Sequence, residues 1–380
     1  VQRVQCLTRP LVGAPDEGSG ETLYALDAAT GDRYWSANLG GSVSGSPAVV
    51  GGTVFVGTDD GTIYALAAVS GGRLWSFDTD RQIGTSPTVA DNTIYVGGGS
   101  VVYALDRSGD PVWTFDIDGT VSSSPTVANG IVYIGSTDAN VYALDTATGD
   151  LRWSSETAGP VESSPTVANG TVYVGSNDEN LYALDAVTGD REWVFETAGP
   201  VESSPTVASG IVYIGSNDRR IYALAADTGE RRWRRETDGQ VPSSPTVADG
   251  TLYAGTGGRF DLGGLPGAVY ALVTETTASS AGSRARLGTL GHHDNWRYAD
   301  QTIDIASGGD GSSDESGDGG GSVDDGGRNG SGGDDSNGED GSGPGLGPGT
   351  ALAGLGTVAY LLRRRLRETG GAAAEEGSGG

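Results

Sequence analysis

The 380 residues carry 50 acidic against 23 basic side chains, a formal net charge of −27, and a field of that sign excludes a nucleic-acid backbone as the natural partner. Cys6 is the single cysteine, so no intramolecular disulfide can staple the chain. Lysine and methionine are both absent, which makes every basic residue an arginine.

Residues 1–20 read as an irregular N-terminal segment. The triplet Val4-Gln5-Cys6 lacks the small residue that precedes a lipid-attachment cysteine, so Cys6 reads as incidental. With no methionine anywhere and a half repeat directly after this segment, the expectation is that the true start and any signal peptide lie upstream.

Over 21–277 one phrase, Y-A-L-D-x-x-T-G-x-x-x-W, returns every 38 to 40 residues and ends at Trp35, Trp75, Trp113, Trp153, Trp193 and Trp233. A second phrase, S-P-x-V, keeps the same step at Pro47, Pro87, Pro125, Pro165, Pro205 and Pro245. One copy, 160–199, holds four strand-like runs. Val161 to Ala168 leads to a tight Asn169-Gly170 turn. Thr171 to Gly175 alternates as a strand should, Leu181 to Asp185 follows a polar turn, and Arg191 to Glu196 follows Thr188-Gly189-Asp190. A four-stranded unit of this size must stack on its neighbours to bury its faces, and radial stacking gives a β-propeller. The competing open solenoid has shorter β repeats, and the density of Gly, Thr, Val and Tyr excludes a helical repeat.

The phrase A-x-D-x-x-T-G-x-x-x-W resembles the tryptophan-docking motif of propellers related to the quinoprotein (PQQ) dehydrogenases, a superfamily that includes BamB-like assembly lipoproteins. It is complete in Ala25, Asp27, Thr30, Gly31 and Trp35, in Ala143, Asp145, Thr148, Gly149 and Trp153, and in Ala183, Asp185, Thr188, Gly189 and Trp193. Ala67 and Ala225 replace the aspartate in two worn copies, the second of which keeps Gly229. The copy ending at Trp113 keeps Asp106 but is one residue short. A seventh copy begins at Tyr270-Ala271-Leu272 and loses the rest. The resemblance implies an all-β propeller whose indoles and Thr-Gly turns hold blades together without touching substrate. Residues 21–41 supply two strands and 240–277 about three, so the ring has six blades if the partial units share one and seven ladders if they do not.

Resemblance to the quinoprotein enzymes would also imply a quinone over the ring axis, calcium, a catalytic aspartate, a stacking tryptophan and often two adjacent cysteines. None of these can be placed, so no catalytic residue, metal ligand or cofactor is assigned, with PQQ the minority alternative. Acidic turns such as Asp59-Asp60-Gly61 and Asn177-Asp178 each offer two or three oxygens, below the ~6–8 that calcium takes, and read as hairpins. Arg231, Arg232, Arg234 and Arg235 around Trp233 form a basic patch, read as a salt-bridged blade edge with an anionic partner as the minority reading. The one loop that departs from the repeats, 257–267 with Arg259, Phe260 and Asp261, is the candidate binding loop.

Residues 278–306 read as a closing segment. Within it, His292-His293-Asp294 lacks a third metal partner, because adjacent strand residues point to opposite faces. The stretch 307–343 is almost wholly Gly, Ser, Asp, Glu and Asn and reads as a disordered tether of roughly 35 Å root-mean-square span. Over 344–367, Pro344, Gly345 and Leu346 precede a short apolar run, expected as a hydrophobic helix, that ends at Arg363, Arg364 and Arg365. The arrangement resembles the tripartite archaeosortase sorting signal, with Leu346 where that signal has phenylalanine; 368–380 form a polar tail. The expectation is a halophilic, monomeric, non-catalytic propeller on the outer face of the cell membrane. Tethered by its C-terminus, it would bind a protein or extracellular ligand; a quinone- or calcium-dependent oxidoreductase and a sensor ectodomain are the alternatives.

Overall fold

The structure is a computed structural model that describes residues 20–27, 30–257 and 267–274. Cys6, the loop of Arg259, Phe260 and Asp261, the phrase 292–296, the acidic run 307–343 and the segment with Pro344, Gly345, Leu346, Arg363, Arg364 and Arg365 lie outside the described residues.

Twenty-five strands form seven antiparallel sheets among the described residues, each an up-and-down meander. The first pairs β1 (Thr22–Leu26) with β2 (Arg33–Asn38), and the second runs β3 (Ala48–Val50), β4 (Thr53–Gly57), β5 (Thr62–Ala67), β6 (Arg73–Asp78). The third comprises β7 (Thr88–Ala90), β8 (Thr93–Gly98), β9 (Val101–Asp106) and β10 (Pro111–Asp116). The fourth comprises β11 (Thr126–Ala128), β12 (Ile131–Gly135), β13 (Asn140–Asp145) and β14 (Leu151–Glu156). In the fifth are β15 (Thr166–Ala168), β16 (Thr171–Gly175), β17 (Asn180–Asp185) and β18 (Arg191–Glu196), and in the sixth β19 (Thr206–Ala208), β20 (Ile211–Ser216), β21 (Arg220–Ala225) and β22 (Arg231–Glu236). The seventh holds β23 (Thr246–Ala248), β24 (Thr251–Gly255) and β25 (Val269–Val273).

The two partial units do not share a ladder. Both carry the Tyr-Ala-Leu strand, as β1 and as β25, and the two occupy separate sheets, which decides the blade count for seven ladders.

Local chemistry accounts for the hairpins. Asn169 at φ 52° and Gly170 at φ 85° supply the left-handed pair that a two-residue turn needs, and Asn129-Gly130 does the same in the preceding sheet. The strand before each tryptophan pairs with a register shift, for example between Ala183 and Leu184, so simple alternation fails there. This is a β-bulge, and it recurs in six sheets.

Core lies between sheets. Six apolar clusters each join residues of consecutive sheets, such as Tyr133, Val141, Ala143 and Trp153 with Val172, Val174, Tyr182 and Leu184. Strands at the centre of a sheet are buried on both faces, as the pattern of β21 shows, because each face meets a neighbouring sheet. The fold is a β-propeller of four-stranded antiparallel blades.

Candidate functional site

Trp35, Trp75, Trp113, Trp153 and Trp193 each sit on the turn of the next blade. The Trp153 indole Nε1–H donates to the Ala186 carbonyl at 3.2 Å, and Trp35, Trp75, Trp113 and Trp193 donate to Ala68, Arg107, Thr146 and Ala226 at 2.9, 2.8, 2.9 and 3.1 Å. Three of these carbonyls take a second donor from the middle of the preceding blade: Tyr133 and Tyr173 hydroxyls reach Ala186 and Ala226 at 2.9 Å each, and Tyr95 reaches Thr146 at 3.2 Å. A carbonyl has two lone pairs, and both are used. The tyrosine and tryptophan rings stand 5.8 Å apart and tilted, within the favourable range for aromatic pairs.

The motif glycine is where the indole lands. A Cβ on Gly189 would stand 2.6 Å from Trp153 Cδ2, and Cβ atoms on Gly149, Gly229, Gly71 and Gly109 would meet Trp113, Trp193, Trp35 and Trp75 in the same way. Gly31 meets nothing within 4 Å. The motif aspartate shapes the turn from the other side. Asp185 accepts from the Val187 and Thr188 amides at 2.8 Å, Asp145 from Ala147 and Thr148, Asp106 from Ser108 and Asp110, and Asp27 from Thr30. The Arg152 guanidinium, followed by those backbone amides, holds the Asp145 carboxyl down at about 2. Where alanine replaces the aspartate, backbone bonds close the turn, Gly71 N–H to Ala67 and Gly229 N–H to Ala225, helped by the Ser70 and Thr228 hydroxyls, which accept the Gly72 and Glu230 amides at 3.3 Å each.

A second apparatus, missed in the sequence, runs along the inner strands. The amide of Ser46 donates to Ser86 Oγ, Ser86 to Ser124, Ser124 to Ser164, Ser164 to Ser204 and Ser204 to Ser244, at 2.8 to 3.0 Å. Beside it the hydroxyls of Thr88, Thr126 and Thr166 donate to the carbonyls of Pro125, Pro165 and Pro205. Its signal in the sequence is the Ser-Pro phrase that returns at the step of the tryptophans.

Polar chemistry near these strands concentrates at Glu202. Its Oε1 accepts from Asn217 Nδ2 at 2.7 Å, and its Oε2 is buried with no hydrogen-bond partner among the described residues. Burial first, and the Glu162 carboxylate second, push the Glu202 carboxyl up to about 7, against the opposing Asn217 bond. Glu162 and Glu202 occupy the same repeat position, three residues before the prolines of consecutive blades. No group of three or more His, Cys, Asp or Glu suited to a metal occurs among the described residues. The acidic turns are hairpin devices: Asp60 Oδ1 accepts from Thr58 Oγ1 and the Thr62 amide, and Asp178 accepts from the Asn180 amide, the Ala158 amide and Tyr182.

Arg231, Arg232, Arg234 and Arg235 are all exposed on β22, and none has an acidic oxygen within 4.0 Å among the described residues. This corrects the expected salt-bridged edge. Across the ladder they face Leu224, Tyr222 and Ile221, with Arg232 in the bulge, and only Glu236 finds a cation, Arg220 at 3.4 Å.

The family model described as outer membrane protein assembly factor BamB matches residues 19–99, 97–204 and 196–276. The chain belongs to this family. Among solved structures, BamB from Moraxella catarrhalis is 27% identical with a TM-score of 0.56, over 64% of this chain and 81% of that one. The computationally designed Ika8 protein, 17% identical with a TM-score of 0.59 over 67% of this chain and 78% of its own, shares the fold. No curated protein matches the chain. In this BamB-family propeller the tryptophans head the blade-to-blade contacts: the first five through the bonds above, and Trp233 by packing with Tyr213, at 5.9 Å, against the core it shares with the seventh sheet.

Proposed function

We propose that this BamB-family chain is a non-catalytic binding or assembly scaffold presented at the cell surface. The observation that carries the reading is where its strongest motif goes. The indoles of Trp35, Trp75, Trp113, Trp153 and Trp193, their receiving glycines and the serine bonds are consumed in joining blades, leaving the exposed blade edges and loops for partners. A family model named for an assembly factor supports a protein partner.

Presentation outside the cell rests on composition. An acidic linker at 307–343 leads to an apolar run closed by Arg363, Arg364 and Arg365, an order suited to a processed or transient membrane segment with arginines on the cytoplasmic side. Among the described residues no helix is long and apolar enough to cross a membrane. The acidic, lysine-free surface suits molar salt, where screening limits the repulsion of the carboxylates.

The test sets the scaffold against its enzymatic rival. Purified chain is titrated with pyrroloquinoline quinone and calcium while absorbance and alcohol-dependent dye reduction are followed. A scaffold leaves both flat, and a stoichiometric spectral change with dye reduction overturns the reading. Surface labelling of intact cells, with and without protease, checks the location: the propeller is expected to be shaved from the outside.

A further inference from the structure

The sixth blade differs from the others at its outermost strand. The corresponding strands β2, β6, β10, β14 and β18 carry no more than one arginine each, whereas β22 carries Arg231, Arg232, Arg234 and Arg235, all exposed. One of the four replaces a packing residue. Phe77, Phe115 and Phe195 lie edge-on to Tyr103, Tyr142 and Tyr222 of the next blade at 6.0, 6.0 and 5.3 Å, and Arg235 takes that repeat position opposite Tyr270. Its charge opposes the effect of Asp238 on the Tyr270 hydroxyl. A protein with 50 acidic residues has carboxylates in abundance, yet none of the described ones comes within ion-pair distance of these four guanidinium groups.

The strand is also an edge. In its sheet β22 pairs with β21 alone, so its outer row of backbone N–H and C=O groups has no strand partner among the described residues. The four arginines span about 13 Å at ~3.3 Å per residue. An added extended chain has that same pitch and places every second side chain on one face, so carboxylates on the face of Arg234 meet its guanidinium while the backbones pair. Guanidinium groups fork onto carboxylates in two parallel bonds.

Building on the scaffold reading, we infer that the outer edge of β22 is a docking site for a short acidic polypeptide segment of a partner protein, added as a fifth antiparallel or parallel strand. Charge selects the class. A long polyanion is repelled by the chain's net charge of −27, whereas a short segment engages the basic strip alone. Arginines on an edge strand also serve to block unwanted strand pairing, and the test separates that role from docking.

The full chain is titrated by fluorescence anisotropy with a labelled peptide that alternates glutamate with valine and threonine. Controls are the same peptide interrupted by proline, a glutamate-to-lysine version, heparin and duplex DNA. Tight binding of the alternating acidic peptide is expected, with about a tenfold or greater loss for the proline and lysine versions. The variant Arg231→Ser/Arg232→Ser/Arg234→Ser/Arg235→Ser should lose about as much, and the milder Arg234→Glu should lose part of it; circular dichroism and melting verify that both fold. Equal binding by the quadruple variant, tighter binding of heparin or DNA, or a parent chain that ignores the peptide while the quadruple variant self-associates would each overturn the docking site. These outcomes leave the scaffold reading standing, since that reading is tested separately by quinone-dependent turnover and by surface labelling.

Discussion

Gly189 concentrates two demands in one residue. Its φ of +77° costs a side chain ~1 to 2 kcal/mol, and a Cβ there would press to 2.6 Å against the Trp153 indole. Gly210 has a φ of +75° with nothing within 4 Å, so it carries the first demand alone. Gly189→Ala is expected to destabilise by several kcal/mol and Gly210→Ala by about 1, measured by denaturant midpoints; equal losses would mean that the indole seat contributes nothing. Trp153→Ala should cost ~3 to 5 kcal/mol. At Glu202 the same scale yields a pH effect. Its carboxyl, raised from 4.5 to about 7 in the folded state, favours the protonated form, so this group's contribution is complete below pH ~4.5 and is lost as pH rises through about 7. Glu202→Gln should therefore stabilise the chain above pH 7 by about 1 to 2 kcal/mol after allowing for solvent screening, with no gain near pH 4.5, as read from melting across that range.

Between elements, the serine bonds work at a reach that no single blade supplies. Ser164 accepts the Ser124 amide from the blade before, and its own amide donates to Ser204 in the blade after. Ser164→Ala leaves one buried donor unmet and should cost ~1 to 3 kcal/mol, whereas Ser164→Thr, which keeps the hydroxyl, should recover most of it. Hydrogen exchange locates the damage: the amide of Ser124 should lose protection and that of Ser204 should keep it. Loss spread evenly through the ring would contradict a nearest-neighbour account of the blades.

Taken whole, the molecule balances apolar interfaces against a charge of −27. Raising salt from about 0.1 M to about 1 M shortens the screening length from ~10 Å to ~3 Å and relieves the repulsion among carboxylates. The melting temperature should climb over that interval, and a flat or falling profile would remove the halophilic reading. The seven ladders also set a mechanical expectation. In β25 the residues Val269, Ala271 and Val273 are exposed, in repeat positions where Ile221, Ala223 and Ala225 of β21 are buried, so the seventh sheet should open first in exchange experiments.

Strand number per blade, the turn chemistry and the tryptophan repeat were all legible along the chain. They depend on neighbours a few residues apart: a period of two in strands such as Thr171 to Gly175, left-handed Asn-Gly turns, and an indole a fixed step past Thr-Gly. Three matters were settled only by folding. Whether the partial units share a ladder depended on strand pairing far apart in sequence. Which carbonyl and glycine receive each of the first five indoles depended on contacts 32 to 36 residues ahead, and the serine bonds on ones 38 to 40 ahead. The ionisation of Glu202 and the unpaired arginines of β22 follow from what surrounds them in space, since burial, a facing carboxylate or the want of one are properties of neighbouring strands and blades that local spacing does not encode.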